Sequence, residues 1–147
     1  MIRYAVSSVA PPVYQCNDMK DFHDWNKKKI KINENITYNH PKEKEIWWCS
    51  IGVNIGSEVW GKGGGYTRPV LVINAEGSEC FIGIPLTSNV KNKKYSCIIR
   101  TDDDILHTAL VYQIRGFDKR RLTDRMCVLS NEEYSKIEKY FKRLYKI

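Results

Sequence analysis

The spacing of apolar residues divides the chain near Pro41 into two unlike parts. Upstream, residues 1–17 carry Pro11-Pro12 and little periodicity, which predicts a loose tail. Residues 18–32 place Met19, Phe22, Trp25 and Lys29 along one side, which predicts a helix with Asp18 as its cap. Lys27, Lys28, Lys29 and Lys31 crowd its end, where the helix dipole favours cations.

From Lys42 onward the pattern changes to short apolar runs separated by turn residues. Ile46–Ile51 reads as a strand, followed by a loop of low apolar content from Gly52 to Thr67 with Gly61, Gly63, Gly64 and Gly65. Pro69–Ile73 is continuously apolar, as a strand buried on both faces would be. A turn at residues 75–78 leads to a strand at Cys80–Ile84. A basic loop, Asn89 to Lys94, leads to Tyr95–Ile99, and Asp102-Asp103-Asp104 marks another turn. Further strands are predicted at Thr108–Ile114 and Met126–Leu129. The end reads as a helix opened by a Ser130/Glu133 capping box, with Tyr134, Ile137, Phe141 and Leu144 at spacings of three and four. Short strands closed by one amphipathic helix predict a mainly β fold of the α+β type, a curled, barrel-like antiparallel sheet. The expected organisation is a partly helical N-terminal extension, 1–40, before a single domain, 41–147.

A chain of 147 residues is long enough for one real core, and 42% hydrophobic and 28% charged residues are ordinary for a globular protein. The formal net charge of +7 is not. It places nucleic acid first among partners, with a merely soluble basic protein as the alternative. No apolar run approaches the roughly 18–20 residues that cross a bilayer, and Met1–Ser8 lacks a secretory core. The expectation is a cytoplasmic protein with no membrane partner. Five separated cysteines with no CxxC pair argue against a disulfide scaffold or a zinc cluster. There is no GxxxxGK[ST] phosphate loop. Neither a metal nor another cofactor is expected.

Several stretches stand out in order: Glu45-Ile46-Trp47-Trp48 followed by Gly56-Ser57-Glu58, Arg68-Pro69-Val70-Leu71-Val72-Ile73, Pro85-Leu86-Thr87-Ser88, and Gln113-Ile114-Arg115 with Asp118-Lys119-Arg120-Arg121-Leu122. Each alone is weak. Their order and spacing, with the C-terminal helix, resemble the MazF/PemK/Kid family of RNA-cleaving toxins over roughly residues 43 to 145. The resemblance implies an SH3-like antiparallel barrel with an added C-terminal helix and a homodimer. It also implies an acidic, partly disordered antitoxin and sequence-selective, metal-independent cleavage of single-stranded RNA. In that chemistry the ribose 2′-hydroxyl attacks the adjacent phosphate, leaving a 2′,3′-cyclic phosphate and a 5′-hydroxyl end.

Such a reaction needs an acceptor for the 2′ proton, donors to hold the crowded phosphorane, and a proton for the leaving oxygen. Arg68 stands where the glycine-rich loop meets a rigid strand, and its guanidinium offers a flat fork of donors suited to phosphate. The resemblance makes it catalytic. Thr87, at the start of a turn after a strand, matches a family hydroxyl that contacts the scissile phosphate; a bond to its own loop backbone is the alternative. Ser88 is a weaker neighbour. Glu58 is the most reasonable base, against a plain solvated glutamate, and Ser57 is a further phosphate donor. One branch of the family carries an arginine and an aspartate where this chain has Leu110 and Tyr112, so that acid–base pair is absent. His107, in what reads as a polar turn, is a candidate proton donor.

Gln113 and Arg115 would face the same groove, with Gln113 orienting either substrate or the catalytic loop, or serving as a structural amide. Arg115, Lys119, Arg120, Arg121 and Arg125 are interleaved with Asp118 and Asp124, a solvated surface or a source of phosphate contacts. Trp60, Lys62 and Tyr66 lie in the glycine-rich loop, where a cation and two rings suit splayed bases. Packing of those rings on their own domain is the other reading. The 18–32 helix is read either as docked through Phe22 and Trp25 or as an arm for RNA or a partner. Two rival functions remain: a DNA gyrase poison, disfavoured because the chain ends Arg143-Leu144-Tyr145-Lys146-Ile147, and a module that binds RNA or a protein without cutting.

Overall fold

Alternating and continuous apolar runs form seven antiparallel strands here: β1 (Glu45–Ser50), β2 (Thr67–Asn74), β3 (Cys80–Thr87), β4 (Cys97–Arg100), β5 (Leu106–Ala109), β6 (Arg115–Asp118) and β7 (Leu122–Val128). Two helices flank them, α1 (Phe22–Asn33) and α2 (Asn131–Tyr145). The computed structural model describes residues 20–91 and 94–147, so the tail at 1–17, Asp18 and Met19 lie outside the described residues. Among the described residues no helix is long and apolar enough to cross a membrane.

The strands run in the order β4-β5-β3-β2-β1-β7, with β6 also paired to β3. The curled sheet is barrel-like, though no ladder joins β4 to β7 among the described residues. β2 is buried on both faces, as its sequence predicts: Leu71 packs with Ile46, Ile84 and Leu86, whereas Val70 and Val72 pack with Cys49, Phe81 and Phe117. Pro69 is tolerated because it pairs with Trp48 of β1 and lies just before the β2–β3 ladder begins at Val70. Helix α2 seals the first cluster with Tyr134 and Ile137. Ser130 caps α2 through the Glu133 N–H, but the Glu133 carboxylate does not return to Ser130. It accepts the Arg100 N–H of β4 instead, at 3.0 Å, so half of the expected capping box is spent on docking the helix.

β3 is the spine of the sheet. β2 lies along one side; β6 pairs with its start (Cys80–Gly83) and β5 with its end (Leu86 and Thr87) on the other. The single strand expected over Thr108–Ile114 is therefore two strands with a 3-10 turn, Val111–Gln113, between them. The Leu110 N–H donates to Pro85 O at 2.9 Å, and the Gln113 N–H closes the turn on Leu110 O at 2.8 Å. This break swings Tyr112 and Gln113 off the ladder. β3 also extends past its expected end, so Thr87 is its last residue and not the first of a turn.

Helix α1 starts later than expected, with the Asp21 carboxylate accepting the Asp24 N–H at 2.9 Å. Its buried anchor is Trp25, with half-buried Ile32 packed beside the same cluster, whereas Phe22 stays 51% exposed. Trp25 packs edge-on to Tyr66, ring centroids 5.6 Å apart, with Val53 beneath. Gly52 permits this seat: its φ is +83°, and a Cβ there would lie 2.1 Å from Trp25 Cε2. Among the described cysteines Cys49 is buried, Cys80 exposed, and Cys97 and Cys127 half-buried, all with free thiols. Burial pushes the Cys49 thiol up to about 12.

Candidate active site

The segment from Gly52 to Thr67 is ordered and not an open loop. Its stem is a narrow hairpin in which Lys62 and Thr67 exchange backbone hydrogen bonds and the Gly61 N–H donates to Gly52 O. Gly61 is required there, because a Cβ would meet Tyr66 O at 1.7 Å. The N-terminal side clamps this segment: Lys28 Nζ of α1 donates to Gly64 O of the hairpin, and Lys20 Nζ, just before the helix, donates to Asn54 O and to Gly56 O, both at 2.8 Å.

Arg68 leaves β2 opposite Cys49 and is fixed by two backbone carbonyls. Its Nε donates to Trp60 O at 2.8 Å and its Nη1 to Leu86 O at 3.1 Å. The guanidinium thus spans from the hairpin to the end of β3, one residue before Thr87. Burial lowers its pKa from the usual guanidinium value, and it remains a cation at any working pH. Two of its five N–H groups are used in these bonds, which leaves the Nη2 side to a ligand. Thr87 Oγ1 accepts the Asn89 N–H at 3.3 Å, the local turn bond weighed above, and still has its own proton to donate.

Arg68 and Thr87 line one groove of about 250 Å³ together with Ser57, Glu58, Trp60, Tyr112 and Gln113. It opens beside a second groove of about 470 Å³ that shares Ser57, Glu58, Tyr112 and Gln113 and adds Asn54 and Arg115. Glu58 is exposed; one carboxylate oxygen accepts the Ile55 N–H at 3.0 Å and closes its own turn, leaving the other free. Gln113 holds the loop: its Oε1 accepts the buried Val59 N–H at 2.5 Å, and its Nε2 donates to Ser57 O at 3.3 Å. Arg115 lies over the Phe117 ring at 4.7 Å. Burial, and after it the charge of Arg121, lowers its pKa.

Other candidates have different settings. Tyr66 is buried, with its hydroxyl donating to Asp24 Oδ2 at 2.9 Å, so its ring packs on the protein's own helix and offers no face to a base. Lys62 is exposed at the hairpin and Ser88 is exposed beyond β3, both outside the groove linings. His107 is not in a polar turn: it lies buried on β5 opposite Ile99, and neither ring nitrogen has a hydrogen-bond partner among the described residues. Most of the basic stretch is structural. Lys119 donates to Gly77 O and Ser78 O, Arg120 chelates Asp118, and Arg125 pairs with the buried Glu45. Sequence reasoning missed Asn54, whose Nδ2 holds Val59 O at 2.7 Å, and the Lys20 clamp. The Lys20 contact joins segments 34 residues apart and leaves no local signal, whereas the Asn54 bond reaches only five residues along the chain.

Curled antiparallel sheet, fixed cation, neighbouring hydroxyl and free carboxylate define a small β protein with a groove equipped to grip a phosphodiester. Residues 42–145 match the family model described as the PemK-like, MazF-like toxin of type II toxin–antitoxin systems. The chain belongs to that family. Its fold is similar to MazF from Deinococcus radiodurans (17% identity, TM-score 0.59, covering 74% of this chain and 99% of that one). It is also similar to a Mycobacterial endoribonuclease solved with its cognate antitoxin (13%, 0.58, 73% and 96%). A third likeness is to a MazE–MazF complex from D. radiodurans (15%, 0.57, 74% and 98%). No curated protein matches in sequence.

Proposed function

We propose that the chain is an endoribonuclease toxin that cuts single-stranded RNA, mRNA above all, at the groove of Arg68 and Thr87 without a metal ion. The observation that carries this reading is the position of the Arg68 guanidinium, bonded to Leu86 O beside Thr87 and lining the same groove. A phosphate seated there meets the Nη2 donors of Arg68 and the hydroxyl of Thr87. Both strengthen their hold as negative charge builds on the phosphorane, which lowers the barrier where it matters. Glu58 lies across the groove with one oxygen free and acts as base toward the 2′-hydroxyl, while Ser57 adds a hydroxyl donor. Trp60 and Arg115 hold the flanking nucleotides and contribute to sequence selectivity. The leaving 5′ oxygen draws its proton from water or Tyr112.

An acidic antitoxin segment would block the enzyme by occupying the same cationic grooves, a reading supported by the charge of +7 and by the antitoxin-bound structures similar in fold. A homodimer working in the cytoplasm is part of the same reading. The test is incubation of purified protein with single-stranded RNA in EDTA. Fragments with 5′-hydroxyl ends are expected, and Arg68→Ala should lower the rate by about 10²–10³. RNA bound without new ends would replace the enzyme with a binding module.

A further inference from the structure

A third groove, of about 470 Å³, lies between α1 and the barrel. It shares Asn54 and Arg115 with the groove beside the Arg68 site, so the two adjoin at those residues. Its outer wall is α1, with Phe22, His23 and Lys29, and its inner wall holds Arg115 and Arg121 over the apolar floor of Ile51 and Val53. We propose that α1 builds an added nucleotide subsite, in which this groove takes a phosphate and base of the single-stranded RNA running out of the Arg68 site. The proposal rests on the RNA-cleaving reading above.

The two guanidiniums carry most of the weight. Arg121 is fixed by a bond from Nη1 to Ser50 O at 3.0 Å and lies 5.9 Å from the Trp25 ring centre, while Arg115 is stacked on Phe117. Among the described residues neither is ion-paired to a carboxylate. Asp24, on the adjoining helix, is already committed to Tyr66 and Lys28. Glu58 lies near Arg115 and Asp118 near Arg121, but neither carboxylate reaches ion-pair distance, so the two guanidiniums still repel each other and an anion between them lowers that cost. Lys29 adds a third charge from the opposite wall. Phe22, 51% exposed among the described residues, lines the same groove and supplies a flat apolar face beside the cations. A nucleotide matches both features, phosphate to the cations and base to the ring. A carboxylate peptide would meet the cations one charge at a time, whereas each nucleotide brings a phosphate and a flat base together.

The test uses the full chain and fluorescent 2′-O-methyl oligonucleotides, which lack the attacking hydroxyl and so report binding alone. One pool is about 12 nucleotides long and the other about 4, short enough to fill only the Arg68 groove. Phe22→Ala and Lys29→Ala should each weaken binding of the longer pool by about tenfold and leave the shorter unchanged. Lys27→Ala, an exposed lysine of the same helix outside the groove, removes the same charge and should have the smaller effect. Equal losses in Lys27→Ala and Lys29→Ala with Phe22→Ala silent would reduce the effect to general charge and overturn the subsite. So would tighter binding of a glutamate-rich peptide than of RNA with the same dependence on Phe22 and Lys29. Cleavage of unmodified RNA is scored separately. If no 5′-hydroxyl ends form but the length-dependent losses persist, the cleavage reading falls and the subsite stands; if neither pool binds, both fall.

Discussion

The Gln113 amide bridges the 3-10 turn after β5 to the loop that carries Glu58, bonding Val59 N–H and Ser57 O. Of the roles open to this glutamine, orienting the loop is the one its bonds support. Truncation would strand a buried N–H, at a cost of about 1–3 kcal/mol that falls on the loop itself. Gln113→Ala should therefore lower kcat about tenfold and speed hydrogen exchange at the Val59 amide. Unaltered exchange at Val59 would refute the role. His107 makes a second residue-scale prediction. Burial depresses its pKa, against the opposing pull of Asp103, so the folded state favours the neutral ring. The stability it contributes is complete above the unfolded value of about 6.5 and is lost as pH falls through the folded value. Thermal melts should show Tm falling on acidification from about pH 7 to 5.5, before the carboxylates protonate, and His107→Leu should flatten that slope. That Arg68 and Thr87 face one groove was legible from the order of the motifs, although Thr87 ends β3 and does not start a turn. Tyr66 was not: a ring among glycines reads as a loop tip, and only the distant Trp25 and Asp24 reveal its burial.

Among elements, α1 tests how much a single glycine controls. Gly52→Ala puts a Cβ into the Trp25 ring and strains a positive φ, together costing about 3 kcal/mol. The helix, and with it the Lys20 and Lys28 clamps, should loosen while the β core stays folded. Limited proteolysis should cut the variant within residues 20–40 faster than the parent, and equal rates would count against this seat. The strands themselves were readable from apolar periodicity. The break at Leu110 was not, because Thr108–Ile114 keeps its apolar character through a 3-10 turn set by bonds to Pro85. Helix α2 shows the converse: local pattern placed its start, while the partner of Glu133 lay on a strand some thirty residues earlier.

Over the whole molecule, the excess of cations is smaller in effect than the count suggests. Lys20, Lys28, Lys119, Arg120 and Arg125 are tied to carbonyls or carboxylates outside the groove of Arg68. Those left facing the three grooves are chiefly Arg68, Arg115, Arg121 and Lys29. If about three of them meet phosphates, log affinity for single-stranded RNA should fall with log salt with a slope of about −2. Titrations at several ionic strengths would measure it, and a slope near zero would remove phosphate contact from the account.

The seat of Trp25 bears on how the protein is handled at the bench. Trimming the polypeptide to the stretch that begins at Lys42 would strip away the cover over Val53 and Tyr66 and leave a greasy hollow facing water. Such a shortened form should be sticky and poorly soluble even with every groove residue intact, so its failure to cut RNA would say nothing about the chemistry.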